Sequence, residues 1–180
     1  MPAFTLVPHP DFPSRAIQSI LVDVATENGS LSLAYRVTGT IDEVLWPPLG
    51  PGGRGDRLWE HSCFEAFVGH PEQAGYIELN LATSGQWAAY EFDAYRVGMR
   101  AVEDMSFALS FSFEPDMIEF SAAAHLPILS FGREWQLGLC AIIEERDGGK
   151  SYWALTHAPG APDFHNRDCF TVRLAAPSGA

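Results

Sequence analysis

Apolar residues recur at every second position through most of this chain. On a strand that period sends successive side chains to opposite faces, so each run predicts a half-buried β-strand. The clearest runs lie between Arg57 and Tyr95. In LWEHSCFEAFV, Phe64, Ala66 and Val68 share one face, and Trp59, His61, Cys63, Glu65 and Phe67 share the other. In YIELNLA, Ile77, Leu79 and Leu81 alternate with Tyr76, Glu78 and Asn80. Setting Val68 against Ile77 brings Ala66 to Leu79 and Phe64 to Leu81, an unbroken apolar face, and places Glu65 opposite Asn80. A slip of one residue would turn the carboxylate into that face, so the pattern specifies the register. Ser84-Gly85 then predicts a two-residue hairpin loop that pairs Thr83 with Gln86. In that register Leu79 meets Tyr90, Ile77 meets Phe92, and Trp87 and Ala89 join Glu65 and Asn80 on the polar face.

The rest of the chain reads in the same way. Phe4–Pro8 predicts a short edge strand, confined by Pro8, Pro10 and Pro13. Ile17–Ala25 and the run LSLAYRV predict strands on either side of an Asn-Gly turn, with Leu31, Leu33, Tyr35 and Val37 inward. Trp46 to Asp56, rich in Pro and Gly, predicts a loop without regular structure, acting as a lid or a mobile connector. FALSFSF, Met117–His125, WQLGLCAIIEE, SYWALTH and CFTVRL supply further strands, and the tail AAPSGA reads as disordered. About ten short strands with Gly/Pro turns and no long amphipathic helix predict an all-β fold. We expect a single-domain antiparallel jelly-roll β-sandwich spanning residues 1–180.

Composition adds limits. With 180 residues, 47% of them hydrophobic, the chain is long enough to bury a core without disulfide staples. Three cysteines with no CxxC pair suit a reducing compartment, and no basic start precedes an apolar stretch, so a cytoplasmic protein is expected. No apolar run approaches the ~18 residues of a membrane span. A formal net charge of −12 argues against a nucleic-acid partner, because polyanions repel.

The polar face of the central strands carries the candidate chemistry. Trp59, His61, Glu65, Asn80 and Trp87 share it, with Ala82 and Ala89 leaving room between them. Flat aromatic walls with hydrogen-bonding groups between them suit a small polar ligand. Arg96 and Lys150 fall at the rim.

The set LWEHSCFEAFV, YIELNLATSGQWAAYEFDAYR and SYWALTHAPGAPDFH, in that order, resembles the DOMON-like proteins related to family 9 carbohydrate-binding modules. The resemblance runs from Phe4 to Leu174. It implies a jelly-roll sandwich that binds carbohydrate, with two tryptophans clasping the sugar and a glutamate taking its hydroxyls. Trp59 and Glu65 match the first tryptophan and the glutamate, and Trp153 is the candidate for the second. Where the sugar-binding relatives carry Asn three residues before that tryptophan, this chain has Lys150.

Other chemistries were weighed on the same residues. Glu65 and Glu78 share a face at a spacing that glycoside hydrolysis could use, but nothing else supports an enzyme, and no cofactor is expected. His61 and Glu65 would lie about 13 Å apart on a strand, at ~3.3 Å per residue, too far to share a metal. His157, Asp163 and His165 are the weak metal candidates. The resemblance also offers a b-type haem reading, with Met99 and His157 or His165 as axial ligands. No CxxCH, G-x-S-x-G or phosphate-cradling loop is present.

Overall fold

A computed structural model describes residues 3–27, 29–126 and 134–174. The expected turn residue Asn28, the strand end at Pro127 and the tail after Leu174 lie outside the described residues. Thirteen strands are present: β1 (Ala3–Pro8), β2 (Ile17–Glu27), β3 (Ser30–Gly39), β4 (Gly53–Arg54), β5 (Cys63–Gly69), β6 (Tyr76–Leu81), β7 (Gln86–Phe92), β8 (Arg100–Ala101), β9 (Phe107–Glu114), β10 (Met117–His125), β11 (Trp135–Glu144), β12 (Lys150–Ala154) and β13 (Val172–Leu174). Among the described residues there is no α-helix, only short 3-10 turns. Among the described residues no helix is long and apolar enough to cross a membrane.

The strands form two layers. The first sheet runs β1-β2-β3-β10-β9, and the second runs β4-β7-β6-β5-β11-β12-β1. All pairs are antiparallel except β4 with β7. The fold is the expected all-β sandwich. β1 belongs to both sheets, pairing Ala3–Leu6 with β2 and Val7–Pro8 with β12. Each half thus has a neighbour on one side only, so β1 is the end strand of both sheets, in keeping with the expected edge strand. Pro8 is tolerated because it ends the strand, where no further ladder bond is required of it.

The inward residues follow the period-two pattern. Leu31, Leu33, Tyr35 and Val37 of β3 face Phe64, Ala66 and Val68 of β5 and Leu137, Leu139 and Ala141 of β11 across one core. Phe64 lies between Tyr35 at 4.6 Å and Phe120 at 4.7 Å, ring centre to centre. The Tyr35 hydroxyl crosses the sandwich and donates to the Glu65 carbonyl at 3.2 Å.

The β5–β6 register is the expected one: Phe64 opposes Leu81, Glu65 opposes Asn80 and Val68 opposes Ile77. The β6–β7 register is not. Leu81 opposes Trp87, Leu79 opposes Ala89 and Tyr76 opposes Phe92. The loop holds three residues, Thr83 to Gly85, closed by the Ala82 N–H donating to the Gln86 carbonyl at 3.0 Å. Gly85 takes φ 81°, a left-handed conformation that costs glycine nothing. The extra loop residue reverses every β7 side chain. Trp87 and Ala89 join the main core, while Tyr90 and Phe92 turn to the polar face.

The Pro/Gly loop is pinned rather than mobile. Its Gly53–Arg54 pairs with Gln86–Trp87, Gly50 N–H donates to the Ser84 carbonyl at 2.9 Å, and the Thr83 hydroxyl donates to the Pro47 carbonyl at 2.9 Å.

Candidate ligand-binding site

The outer face of the second sheet is covered, not solvated. Residues 155–171 fold back over it, and Phe164 and Phe170 pack on Phe67, Tyr76 and Ile142 to make a second, smaller core. Gly138 permits this approach, since a Cβ there would meet Phe170 at 2.9 Å. Within this second core lies a cavity of about 360 Å³. Its floor is Glu65 and Phe67 of β5, Glu78 of β6 and Phe92 of β7. Ile142 of β11 and Tyr152 of β12 extend one wall. Trp59, Arg96, Met99, Pro162, Phe164 and His165 close it from loops above.

Trp59 does not arrive on a strand. It sits in a 3-10 turn, Leu58–Glu60, that follows Arg57 in the left-handed conformation at φ 57°. Its indole meets the Tyr90 ring edge-on at 5.7 Å. Lys150 donates to the carbonyl of Glu60 and so ties this turn to β12. Strand β5 begins only at Cys63, so the alternation expected from Trp59 to Phe67 holds from Cys63 onward.

The floor is a buried polar cluster. Asn80 is fully buried and donates its side-chain N–H to Glu78 Oε1 at 2.7 Å. Glu78 Oε2 faces His165 Nε2 at 3.7 Å. His165 Nδ1 lies 2.7 Å from the Tyr76 hydroxyl, and that hydroxyl accepts the Arg96 backbone N–H at 3.1 Å. Arg96, at φ 55°, pairs with Asp163 at 2.9 Å, and Tyr95 donates to the other Asp163 oxygen at 2.8 Å.

Glu65 has a different environment. It is 3% exposed, and among the described residues no hydrogen bond to its carboxyl offsets that burial. Burial holds its pKa well above the usual carboxyl value, the charge of Glu78 adds to the effect, and Arg96 opposes it. Glu78 is raised by the same burial, opposed by the Asn80 hydrogen bond and by Arg96. Burial and the nearby Arg96 charge lower His165 to about 4, so its imidazole is neutral at pH 7.

The expected site residues divide. Trp59, Glu65 and Arg96 line the cavity. Asn80 lies behind the floor and orients Glu78. His61 is exposed and bonds Glu144 at 2.8 Å, outside the cavity. Trp87 is in the main core against Phe107 at 4.8 Å. Trp153 is also in the main core, 2% exposed, with its indole N–H donated to Ser151 at 3.0 Å. Its neighbour Tyr152 takes the wall instead, because the alternation of β12 turns Tyr152 outward and Trp153 inward. Phe92 and Phe164 also escaped the sequence reading. Phe92 was hidden by the hairpin slip, and Phe164 stands beside two residues already singled out, Asp163 and His165.

The metal candidates diverge. His157 bonds the Val7 carbonyl at 2.9 Å and packs on His9, Asp163 is held by Arg96 and Tyr95, and His165 is held by Tyr76. Among the described residues no three His, Cys, Asp or Glu side chains converge on one point. Of the haem candidates, Met99 and His165 border the same cavity and His157 does not.

The chain matches no protein-family profile and no curated protein. Among solved structures it is similar to a putative carbohydrate-binding protein from Bacteroides uniformis, with a TM-score of 0.69 and 17% identity over 94% of this chain and 84% of that one. The two chains share a fold. A family 9 carbohydrate-binding module from Caldicellulosiruptor kristjanssonii, in complex with glucose, is more distant, with a TM-score of 0.47 and 11% identity over 82% of this chain and 71% of that one. The same module with cellotriose gives a TM-score of 0.47. A β-sandwich hosts many functions, so function must be argued from the cavity itself.

Proposed function

We propose that this chain is a non-catalytic module that binds a small carbohydrate in the cavity beneath Trp59. The observation that carries this reading is Glu65, a buried carboxyl without a hydrogen-bond partner among the described residues, on the floor of an aromatic-walled cavity of about 360 Å³. Such a group costs stability unless water or a ligand meets it. The volume is at the small end of the ~300–1,000 Å³ typical of ligand sites. A sugar ring offers an apolar face to Trp59 and hydroxyls to Glu65 and Glu78. The fold shared with the Bacteroides uniformis protein and the sequence resemblance to DOMON-like proteins and family 9 modules agree with this reading.

The arrangement of the carboxyls supports binding without hydrolysis. A glycosidase flanks the scissile bond with its two carboxyls. Here both rise from adjacent strands on one floor and would meet a ligand from the same side. Haem fits the cavity poorly. His165 Nδ1 is taken by the Tyr76 hydroxyl at 2.7 Å, the Glu78 carboxyl stands 3.7 Å from Nε2 where iron would have to bind, and Met99 is half exposed.

The test is titration with mono- and disaccharides, followed by tryptophan fluorescence. Binding through one shallow contact would be millimolar, about −4 kcal/mol. Trp59→Ala and Glu65→Gln should remove the signal while the circular-dichroism spectrum stays that of the parent. No spectral change at ~10 mM of any sugar would end the carbohydrate reading. A Soret band on reconstitution with haem, lost on changing His165, would replace it.

A further inference from the structure

The charges around the cavity are unbalanced. Glu65 and Glu78 both face it from the floor, and Arg96 is the cation that borders it. Arg96 is already committed to Asp163 at 2.9 Å. His165 turns a neutral imidazole toward Glu78 and supplies no charge at neutral pH. Arg96 acts on both floor carboxyls but is shared with Asp163, so one cation serves three carboxyls. Glu65 is the sharper case, being 3% exposed and without a hydrogen bond to its carboxyl among the described residues.

Donor and acceptor counts point the same way. A cation seated between the two carboxyls would favour the ionised form that burial opposes, and an ionised carboxyl only accepts hydrogen bonds. One oxygen of Glu78 is satisfied by Asn80 at 2.7 Å, which leaves its other oxygen and both of Glu65. A neutral hydroxyl both donates and accepts, and the Arg96 guanidinium, a donor at the rim, is held by Asp163. An ammonium has three donors and no acceptor. The walls suit it too, since Trp59, Phe92 and Tyr152 present rings around the floor, and aromatic faces attract cations. The chain's net charge of −12 draws cations and repels anions.

We propose that the cavity selects a ligand carrying a protonated amine, seated between Glu65 and Glu78 with its ring against Trp59, and hence an amino sugar in preference to a neutral one. The amino-sugar form rests on the carbohydrate reading, whereas the ammonium subsite rests on the carboxyls alone.

The experiment is calorimetric titration at pH 7 with glucosamine, N-acetylglucosamine, glucose and cyclohexylamine, the last an amine on an apolar ring without hydroxyls. Glucosamine is expected to bind at least tenfold more tightly than glucose and N-acetylglucosamine. Its affinity should fall as salt rises, while that of glucose stays flat. Glu65→Gln, nearly isosteric, should erase the preference, and the salt dependence of the parent protein supplies the same answer if that variant does not fold. Glucose or N-acetylglucosamine binding as tightly as glucosamine would overturn the amine inference and leave the carbohydrate reading standing. Cyclohexylamine matching glucosamine while neutral sugars fail would end the carbohydrate reading and keep the ammonium subsite. No binding by any of the four would end both.

Discussion

The two sheets share one core and differ on their outer faces. In the first sheet, β3 and β10 alternate strictly between buried and more exposed residues, and the outer face carries serines and an exposed Arg36–Glu119 pair at 3.4 Å. In the second, every residue of β5 is buried, because the main core covers one face and residues 155–171 cover the other. A solvated polar face has no reason to hold a ligand. A roofed one gathers Glu65 and Glu78 beneath aromatic walls, where burial raises the cost of their charge. The comparison teaches that the site comes from the roof as much as from the strands beneath it.

The shared core should dominate stability. Phe64→Ala, which empties the stack between Tyr35 and Phe120, should cost about 3–5 kcal/mol in urea unfolding. It should unfold both sheets in one transition, and separate melting of the two would break the picture of a common core. Next in size comes a change confined to the roofed side. Glu65→Gln should raise the melting temperature at pH 8, since the amide has no charge to bury; for a chain of this size each kcal/mol gained reads as about 2–4 °C.

The sign follows from the raised pKa. Glu65 favours folding most below the ordinary carboxyl value of 4.5, and that contribution is lost as pH rises through its elevated value in the folded protein. The gain in Glu65→Gln should therefore vanish near pH 4, and an equal gain at both pH values would contradict the burial argument. His165 works in the other direction. Its pKa is lowered from 6.5 to about 4, so its contribution is whole above pH 6.5 and fades toward pH 4. His165→Gln should flatten the melting-temperature profile across that window. The smallest effect belongs to the solvated face. Arg36→Ala should change stability by about 0–1 kcal/mol, the range for an exposed ion pair. A larger loss would mean that the first sheet is covered by something too.

Legibility in the sequence followed the same division. The first sheet and the β5–β6 pair could be read from alternation because one wrong register would bury a charge. The β6–β7 hairpin could not, since ATSGQ fits a two-residue or a three-residue loop, and Trp87, Ala88, Ala89 and Tyr90 tolerate either face. That single ambiguity put Trp87 in the site and left Phe92 out. Trp59 borders the cavity from a 3-10 turn, where the alternation predicts a strand. Trp153 and Tyr152 are adjacent aromatics on one strand, and only the knowledge of which side is the main core separates them. The roof carries no period, so Pro162 and Phe164 had no signal beyond their nearness to Asp163 and His165.

The double membership of β1 has a consequence for how the chain reaches this form. Val7 pairs with Ala154, so the end of β1 finds its partner only after most of the other strands have been synthesised. At about 5–20 residues per second, that partner follows roughly 7–30 s later. During that interval β1 can engage β2 but leaves its remaining backbone donors and acceptors open. The strand that joins the layers in the finished molecule is thus an unfinished edge during synthesis, and its prolines stand where such an edge most needs protection from pairing with a stranger.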